Sequence, residues 1–356
     1  MNNSFWKNRR VLITGHTGFK GAWLSLWLEQ LGANIAGIAL EPNTNPNLFS
    51  LLNLKEKMQS HIADVRDFEK IKKIIHDFKP EIIIHMAAQP LVRYSYQNPI
   101  ETYATNVMGT VHVLEAAKTC ESVRAIVNVT TDKCYENKEW MWGYRENEML
   151  GGHDPYSNSK ACSELVTKAY RDSFYEKLNI GLATARAGNV IGGGDWSQDR
   201  LIADIMKSMV AQKPVIIRNP NAIRPWQHVL EPLSGYLLLA EKLFSDTKKY
   251  SESWNFGPQA NEAVCVEKIV KTVFLNWSDK SAGYVIEQDH ENLHEAHFLK
   301  LDITKAITAL NWKPQLTIDD TISWVSDWYQ AWMKKENMLE YTLKQIQAYQ
   351  KFINQE

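Results

Sequence analysis

What this sequence has little of narrows it first. Its four cysteines, Cys120, Cys134, Cys162 and Cys265, form no CxxC pair. Neither a disulfide framework nor a zinc site is expected. His85, His112 and His228 show no metal-ligand spacing and read as structural. No apolar run approaches the ~20 residues of a membrane span. Charge of one sign is also missing, with 40 Lys and Arg against 41 Asp and Glu. Nothing suggests a nucleic-acid surface, so any anionic ligand must be gripped by a few local Arg, Lys and backbone N–H groups. Internal repeats, low-complexity tracts and a long linker are absent. A strand is reached by Val11, which leaves no room for a signal peptide. A cytoplasmic protein is the expectation.

What is there is a chain of 356 residues, 44% hydrophobic and 23% charged. That suits a soluble protein with a large core and about two domains. Thirteen Trp are unusual. Most should pack in the core or at a dimer face, and a few could stack on a base or sugar.

Val11-Leu12-Ile13-Thr14 is a short apolar strand. It runs into Gly15-His16-Thr17-Gly18-Phe19-Lys20-Gly21, and a helical pattern follows. Strand, glycine-rich turn and helix form the context of a dinucleotide site, where Gly15, Thr17, Gly18, Phe19 and Gly21 would lie against a pyrophosphate at the helix N-terminus. The spacing is G-x-x-G-x-x-G. A second strand spans Asn34 to Leu40. The acid expected about 20 residues after the glycines has one candidate, Glu41, which sits slightly late and could equally be a surface turn residue. No Arg follows to receive a 2′-phosphate, which favours NAD. Asp64 at a later strand end could accept a hydrogen bond from an adenine amine, with Val65 against the ring. Small residues at Ala87-Ala88 let the backbone pass beside a cofactor.

Strands and amphipathic helices alternate to about residue 186. This predicts a doubly wound parallel sheet with helices on both faces. Ligands bind such sheets beyond the carboxyl ends of the strands. The glycine turn, Ala87-Ala88 and Thr130-Thr131-Asp132 all fall there, which argues for one site. The full expectation is an α/β, Rossmann-like doubly wound sheet with a smaller C-terminal α/β lobe. Residues 1–186 would bind the dinucleotide, and the chain would return to that domain at about 229–252. Residues 187–228 and 253–356 would form mainly the substrate lobe and a C-terminal helix.

Tyr156 and Lys160 stand four residues apart, on one face of a predicted helix. An ammonium beside a phenol favours the phenolate and lowers a pKa that is ordinarily about 10. The pair could take a proton from a substrate hydroxyl.

Gly15-x-x-Gly18-x-x-Gly21, Asp64-Val65, Ala87-Ala88, Asn106-x-x-Gly109-Thr110, Thr131, Tyr156-x-x-x-Lys160 and Arg186-x-x-Asn189-Val190 occur in that order. Together they resemble the extended short-chain dehydrogenase/reductase superfamily. Thr131-Asp132-Lys133 resembles the nucleotide-sugar 4,6-dehydratase branch. With Gly193-Gly194-Asp195-Trp196, Arg200 and Arg224-Pro225-Trp226-Gln227-His228-Val229, it is most similar to members that act on CDP-glucose. The resemblance implies a lyase using NAD for an internal redox cycle. Hydride would leave sugar C4 and return at C6, water would be lost across C5 and C6, and the product would be CDP-4-keto-6-deoxyglucose. Such enzymes serve 3,6-dideoxyhexose synthesis for bacterial surface polysaccharide.

In that scheme Tyr156 takes the 4-hydroxyl proton, Lys160 supports it and bonds the nicotinamide ribose, and Thr131 holds the 4-oxygen. Asp132 is the candidate acid for the 6-hydroxyl. Lys133 stands where relatives carry a glutamate base, and either acts as a neutral base or stabilises an oxyanion as a cation. Asn106 joins the cofactor set. The substrate set is Gln89, Asn189, Asp195, Trp196, Arg200, Arg224 and His294. Asp195-Trp196 could hold a pyrimidine or merely anchor a loop. The resemblance also implies a homodimer, possibly paired further, through helices at about 99–118 and 156–177 with Met108, Val111, Leu114, Leu165 and Val166.

Overall fold

The computed structural model of the chain describes residues 2–217, 219–259, 262–277, 283–287 and 298–354. Its frame is a seven-stranded parallel sheet. In chain order the strands are β1 (Arg10–Thr14), β2 (Asn34–Ala39), β3 (Gln59–Ile62), β4 (Ile82–His85), β5 (Ala125–Val129), β6 (Gly181–Ala187) and, after an excursion, β11 (Ser253–Phe256). Their spatial order is β11-β6-β5-β4-β1-β2-β3, and every pairing is parallel. The order reverses at β1, between β2 and β4, where such sheets open a crevice.

The apolar runs form central strands because helices cover both faces, so neither side of the pleat can be polar. Successive side chains point to opposite faces. Val11 and Ile13 therefore join one core while Leu12 joins the other. Ile82 and Ile84 part from Ile83 in the same way. The first of these cores also takes in the residues beyond 186, which welds the excursion to one side of the sheet.

That excursion is built from short ribbons. β7 (Val190–Ile191) pairs with β10 (Gln227–His228), β8 (Val215–Ile217) with β13 (Tyr284–Ile286), and β9 (Ile223–Arg224) with β12 (Val264–Cys265). Helix Leu230–Ser245 returns to pack on β5 and β6. The return runs longer than the expected 229–252. Ser253–Phe256, placed in the lobe on sequence, is instead the sheet's edge strand, in register with Thr184–Ala187. Four residues with one Trp and one Phe carry no signal that separates an edge strand from a lobe segment.

Nine of the thirteen tryptophans are buried, so the aromatic surplus goes chiefly into packing. Among the described residues no helix is long and apolar enough to cross a membrane.

Candidate active site

A cleft of about 650 Å³ opens at the carboxyl ends of the strands, between the sheet and the ribbons. From the sheet side it is lined by Lys20, Ala88, Thr131, Asp132, Lys133, Tyr156 and Lys160. From the ribbon side come Asn189, Asp195, Arg200 and Arg224. Residues scattered over two hundred positions thus share one space.

Tyr156 and Lys160 ride on helix Pro155–Tyr170. The helix starts there because Pro155 has its φ preset at the first position and Asp154 caps the end, accepting from the Ser157 backbone N–H at 2.9 Å. The Tyr156 backbone N–H donates to Ser95 Oγ at 3.1 Å, fixing the first turn to the short helix Val92–Gln97 that follows β4. Burial pushes the Tyr156 phenol up to about 12, while the Thr131 hydroxyl and the Arg200 guanidinium pull it down. Lys160 donates to the Val129 carbonyl at 3.0 Å. Burial lowers its ammonium to about 8, against the raising influence of Glu164. The expected direct lowering of Tyr156 by Lys160 thus gives way to Thr131 and Arg200, because the ammonium turns to a carbonyl.

Thr131, Asp132 and Lys133 form a tight turn at the end of β5. Thr131 Oγ1 donates to Asp132 Oδ1 at 3.0 Å and accepts from the Lys133 backbone N–H at 3.3 Å. Asp132 is 1% exposed, and its Oδ2 is buried without a protein partner. Burial raises its pKa, and the charges of Lys133 and Arg224 partly oppose this. A carboxyl raised by burial suits a proton donor.

The glycine turn fits a dinucleotide. A Cβ on Gly15 would stand 2.9 Å from the Ala87 backbone N, and one on Gly21 would stand 2.1 Å from the Gly15 carbonyl O. At Gly18, the cap of helix Phe19–Gln30, the nearest atom to a Cβ is at 3.4 Å. Two glycines permit the tight turn, and the third leaves its face open for a close approach. Thr17 donates to the Leu40 carbonyl at 2.8 Å, tying the turn to the end of β2. Phe19 packs partly buried against the core.

Several expected residues stand elsewhere. Glu41 is exposed, two positions past the end of β2 and outside the cleft lining. Asp64 accepts from Arg66 with both carboxylate oxygens, at 2.8 Å from its backbone N–H and 2.5 Å from Nη2, a contact within its own turn. Val65 is buried close against Gly109. Asn106 accepts from the Gln89 backbone N–H at 2.8 Å and donates to the Gln89 carbonyl at 3.0 Å and to Ser159 Oγ at 2.9 Å. It braces a loop against the catalytic helix. The Gln89 amide is likewise engaged with Leu91 and Thr102. Ala87 donates its backbone N–H to Thr14 Oγ1 at 3.1 Å, beside Gly15.

On the ribbon side, Asp195 Oδ2 accepts from Arg200 Nη1 at 3.2 Å. Trp196 lies outside the cleft lining, edge-on to Trp328, Tyr329 and Trp332, and so anchors its loop. Arg224 is buried and still lines the cleft. His294 lies outside the described residues.

Sequence reasoning passed over Lys20. It lines the cleft, and burial, with the charges of Arg200 and Lys160, lowers it to about 7. Its Nζ donates to the Tyr236 hydroxyl at 3.4 Å. The one signal was a cation among the glycines of the turn.

A doubly wound sheet with a glycine turn at its reversal and a buried Tyr–Lys pair on the next wall defines an extended short-chain dehydrogenase/reductase. Comparison with known proteins narrows this. Residues 12–325 match the family described as GDP-mannose 4,6 dehydratase, and the chain belongs to that family. It is 53% identical to a CDP-glucose 4,6-dehydratase of Salmonella typhimurium, over 98% of each chain. It is 22% identical to a dTDP-glucose 4,6-dehydratase of Xanthomonas campestris, over 95% of this chain and 98% of that protein. Its fold superposes on a dTDP-glucose 4,6-dehydratase from Bacillus anthracis in complex with NAD, with TM-score 0.75 at 21% identity over 93% of this chain and 99% of that one. A UDP-glucose 4-epimerase from Thermotoga maritima with UDP-glucose gives 0.77 at 21% identity, over 91% and 99%.

Proposed function

We propose that the protein is an NAD-dependent lyase that converts CDP-glucose to CDP-4-keto-6-deoxyglucose and water. The carrying observation is Asp132: a buried carboxyl with a raised pKa and an unpartnered oxygen, in the same cleft as Tyr156 and Lys160. Redox at C4 alone needs the Tyr–Lys pair, whereas expelling the 6-hydroxyl also needs a proton donor. The 53% identical relative supports cytidine as the nucleotide.

The glycine turn, Ala87, Ala88 and Lys160 would hold NAD, which supplies the hydride acceptor and donor. Tyr156 removes the C4 hydroxyl proton, helped by the Thr131 hydroxyl and the Arg200 guanidinium, which favour its phenolate. Thr131 holds the 4-oxygen. The ketone acidifies C5, whose proton passes to solvent water while Lys133, whose charge already acts on Asp132, stabilises the enolate oxygen; a solvent proton replaces it at C5 when C6 is reduced. Asp132 protonates the leaving 6-hydroxyl. Arg200, Arg224 and Asn189 grip the substrate pyrophosphate, for which arginine forks are suited. The cytoplasm and the supply of 3,6-dideoxyhexoses for lipopolysaccharide are the setting this reading implies.

A homodimer belongs to the same proposal. Ile100, Met108, Leu165 and Phe174 are exposed along the helices around 99–118 and 155–175, a pattern suited to a shared face. Leu114, assigned to that face on sequence, points instead into the protomer's core.

The test is purified protein with NAD against CDP-, dTDP-, UDP- and GDP-sugars in deuterated water, with products read by NMR and mass by light scattering. A 4-keto-6-deoxy sugar carrying deuterium at C5, formed from CDP-glucose by a dimer, is expected. An epimerised sugar with no loss of water would replace the dehydratase with a 4-epimerase.

A further inference from the structure

Glu164 lies one turn beyond Lys160 on the catalytic helix and points away from the cleft into the core. Its carboxylate accepts five hydrogen bonds. Oε1 takes the Thr130 hydroxyl and Arg186 Nε, the latter at 3.0 Å. Oε2 takes Arg186 Nη2 at 2.8 Å, Thr184 Oγ1 at 2.7 Å and Ser253 Oγ at 3.2 Å. Arg186 continues the chain of contacts, with Nη1 donating to the Tyr135 hydroxyl at 2.8 Å and to the Glu146 carbonyl at 3.0 Å. Both partners of the ion pair are 2% exposed.

Thr130 and Tyr135 are the residues on either side of Thr131-Asp132-Lys133-Cys134. One buried pair therefore touches the catalytic helix, both ends of the catalytic turn, strand β6 and the edge strand β11. The cost of desolvating two charges is offset only when their hydrogen bonds are this complete. A structural staple alone would not need to meet the turn at both ends. The carboxylate is also the larger of the influences that raise Lys160 against its burial.

We propose that Glu164 and Arg186 are a positioning pair for this reaction. They hold Thr131, Asp132 and Lys133 in register with Tyr156 and Lys160, and Glu164 supplies the buried negative charge that favours the Lys160 ammonium. The proposal rests on the dehydratase reading above.

Glu164→Gln keeps the shape and removes the charge. With CDP-glucose and NAD, kcat should fall about 10- to 100-fold while KM stays within about twofold, since neither residue lines the cleft. The alkaline limb of the kcat profile should move to lower pH, because Lys160 then loses its proton sooner. A merely structural loss lowers the melting temperature and the active fraction and leaves that limb in place. Thr130→Val cuts the turn's tie and spares the ion pair, so it decides the matter if Glu164→Gln does not fold. It should lower kcat about 10-fold, and Thr130→Ser should restore it. A folded Glu164→Gln with parental kcat and an unmoved limb would overturn the proposal, as would Thr130→Val indistinguishable from the parent. If the dehydratase reading is itself wrong, the parent makes no 4-keto product from CDP-glucose, which is a different result.

Discussion

The two walls of the cleft are built differently. The wall with Thr131, Asp132, Tyr156 and Lys160 grows from the long parallel sheet, and each of these side chains is buried. The wall with Arg200 and Arg224 is built from the start of helix Leu201–Val210, which Arg200 precedes, and from ribbons two or three residues long, one of which carries Arg224. Arg200 is about a third exposed along its side chain and is held by Asp195. The contrast follows from what each wall must do. Proton transfer depends on desolvation and on position to a fraction of an ångström. Gripping a pyrophosphate needs charge and reach, which a long cation at a helix start or on a short ribbon supplies. Precision sits where the contacts are most non-local, and recognition sits on elements that can vary without disturbing the sheet.

The comparison breaks first at Tyr156. Tyr156→Phe removes one oxygen from the rigid wall, and kcat should fall by about 10³-fold with KM for CDP-glucose nearly unchanged. Steady-state kinetics read the split. Arg200→Ala and Arg224→Ala act on the other wall and should do the reverse, raising KM about 10- to 100-fold, or some 1.4–2.7 kcal/mol, with a smaller change in kcat. A large loss of kcat in either arginine variant, with KM unmoved, would erase the division of labour.

The last effect is on stability rather than turnover and concerns the support behind both walls. Glu231 on helix Leu230–Ser245 accepts from the Gln315 and Leu316 backbone N–H groups at 2.9 and 2.7 Å and from the Tyr349 hydroxyl at 2.6 Å. It thereby ties the last helix, Met338–Asn354, to the body. Burial raises its carboxyl from 4.5 to about 7. The folded state therefore holds this proton more tightly than the unfolded chain does. That contribution is complete below pH 4.5 and is lost as pH rises toward 7, by on the order of 3 kcal/mol. Urea unfolding at pH 5 and pH 8 should show this drop in the parent and a flatter response in Glu231→Gln. Equal slopes would mean that Glu231 is not the group responsible.

Much of the site was readable along the chain. The glycine turn, the Tyr156–Lys160 spacing and the Thr131–Lys133 turn are local patterns. Their chemistry depends on residues a few positions apart, and the apolar runs that place them at strand ends are local too. The misplacements have a common cause. Asn106 and Gln89 look like free polar groups in sequence, but their amides are used up by each other's loop and by the catalytic helix. Trp196 is shielded by a helix more than a hundred residues later. Lys20 looks like a spacer between glycines until the fold buries it in the cleft wall against the Tyr236 hydroxyl.

The sequence by itself determined the alternation of strand and helix, a site beyond the carboxyl ends of the strands, and the family of reactions, because these follow from periodicity and from short motifs with one use. Tertiary structure alone decided which polar groups remain available to a ligand, which acid burial pushes toward holding its proton, and that Glu164 and Arg186 lie beneath the turn they brace. Availability and desolvation are set by neighbours far away in the chain, and no local pattern encodes how distant segments consume one another's hydrogen bonds.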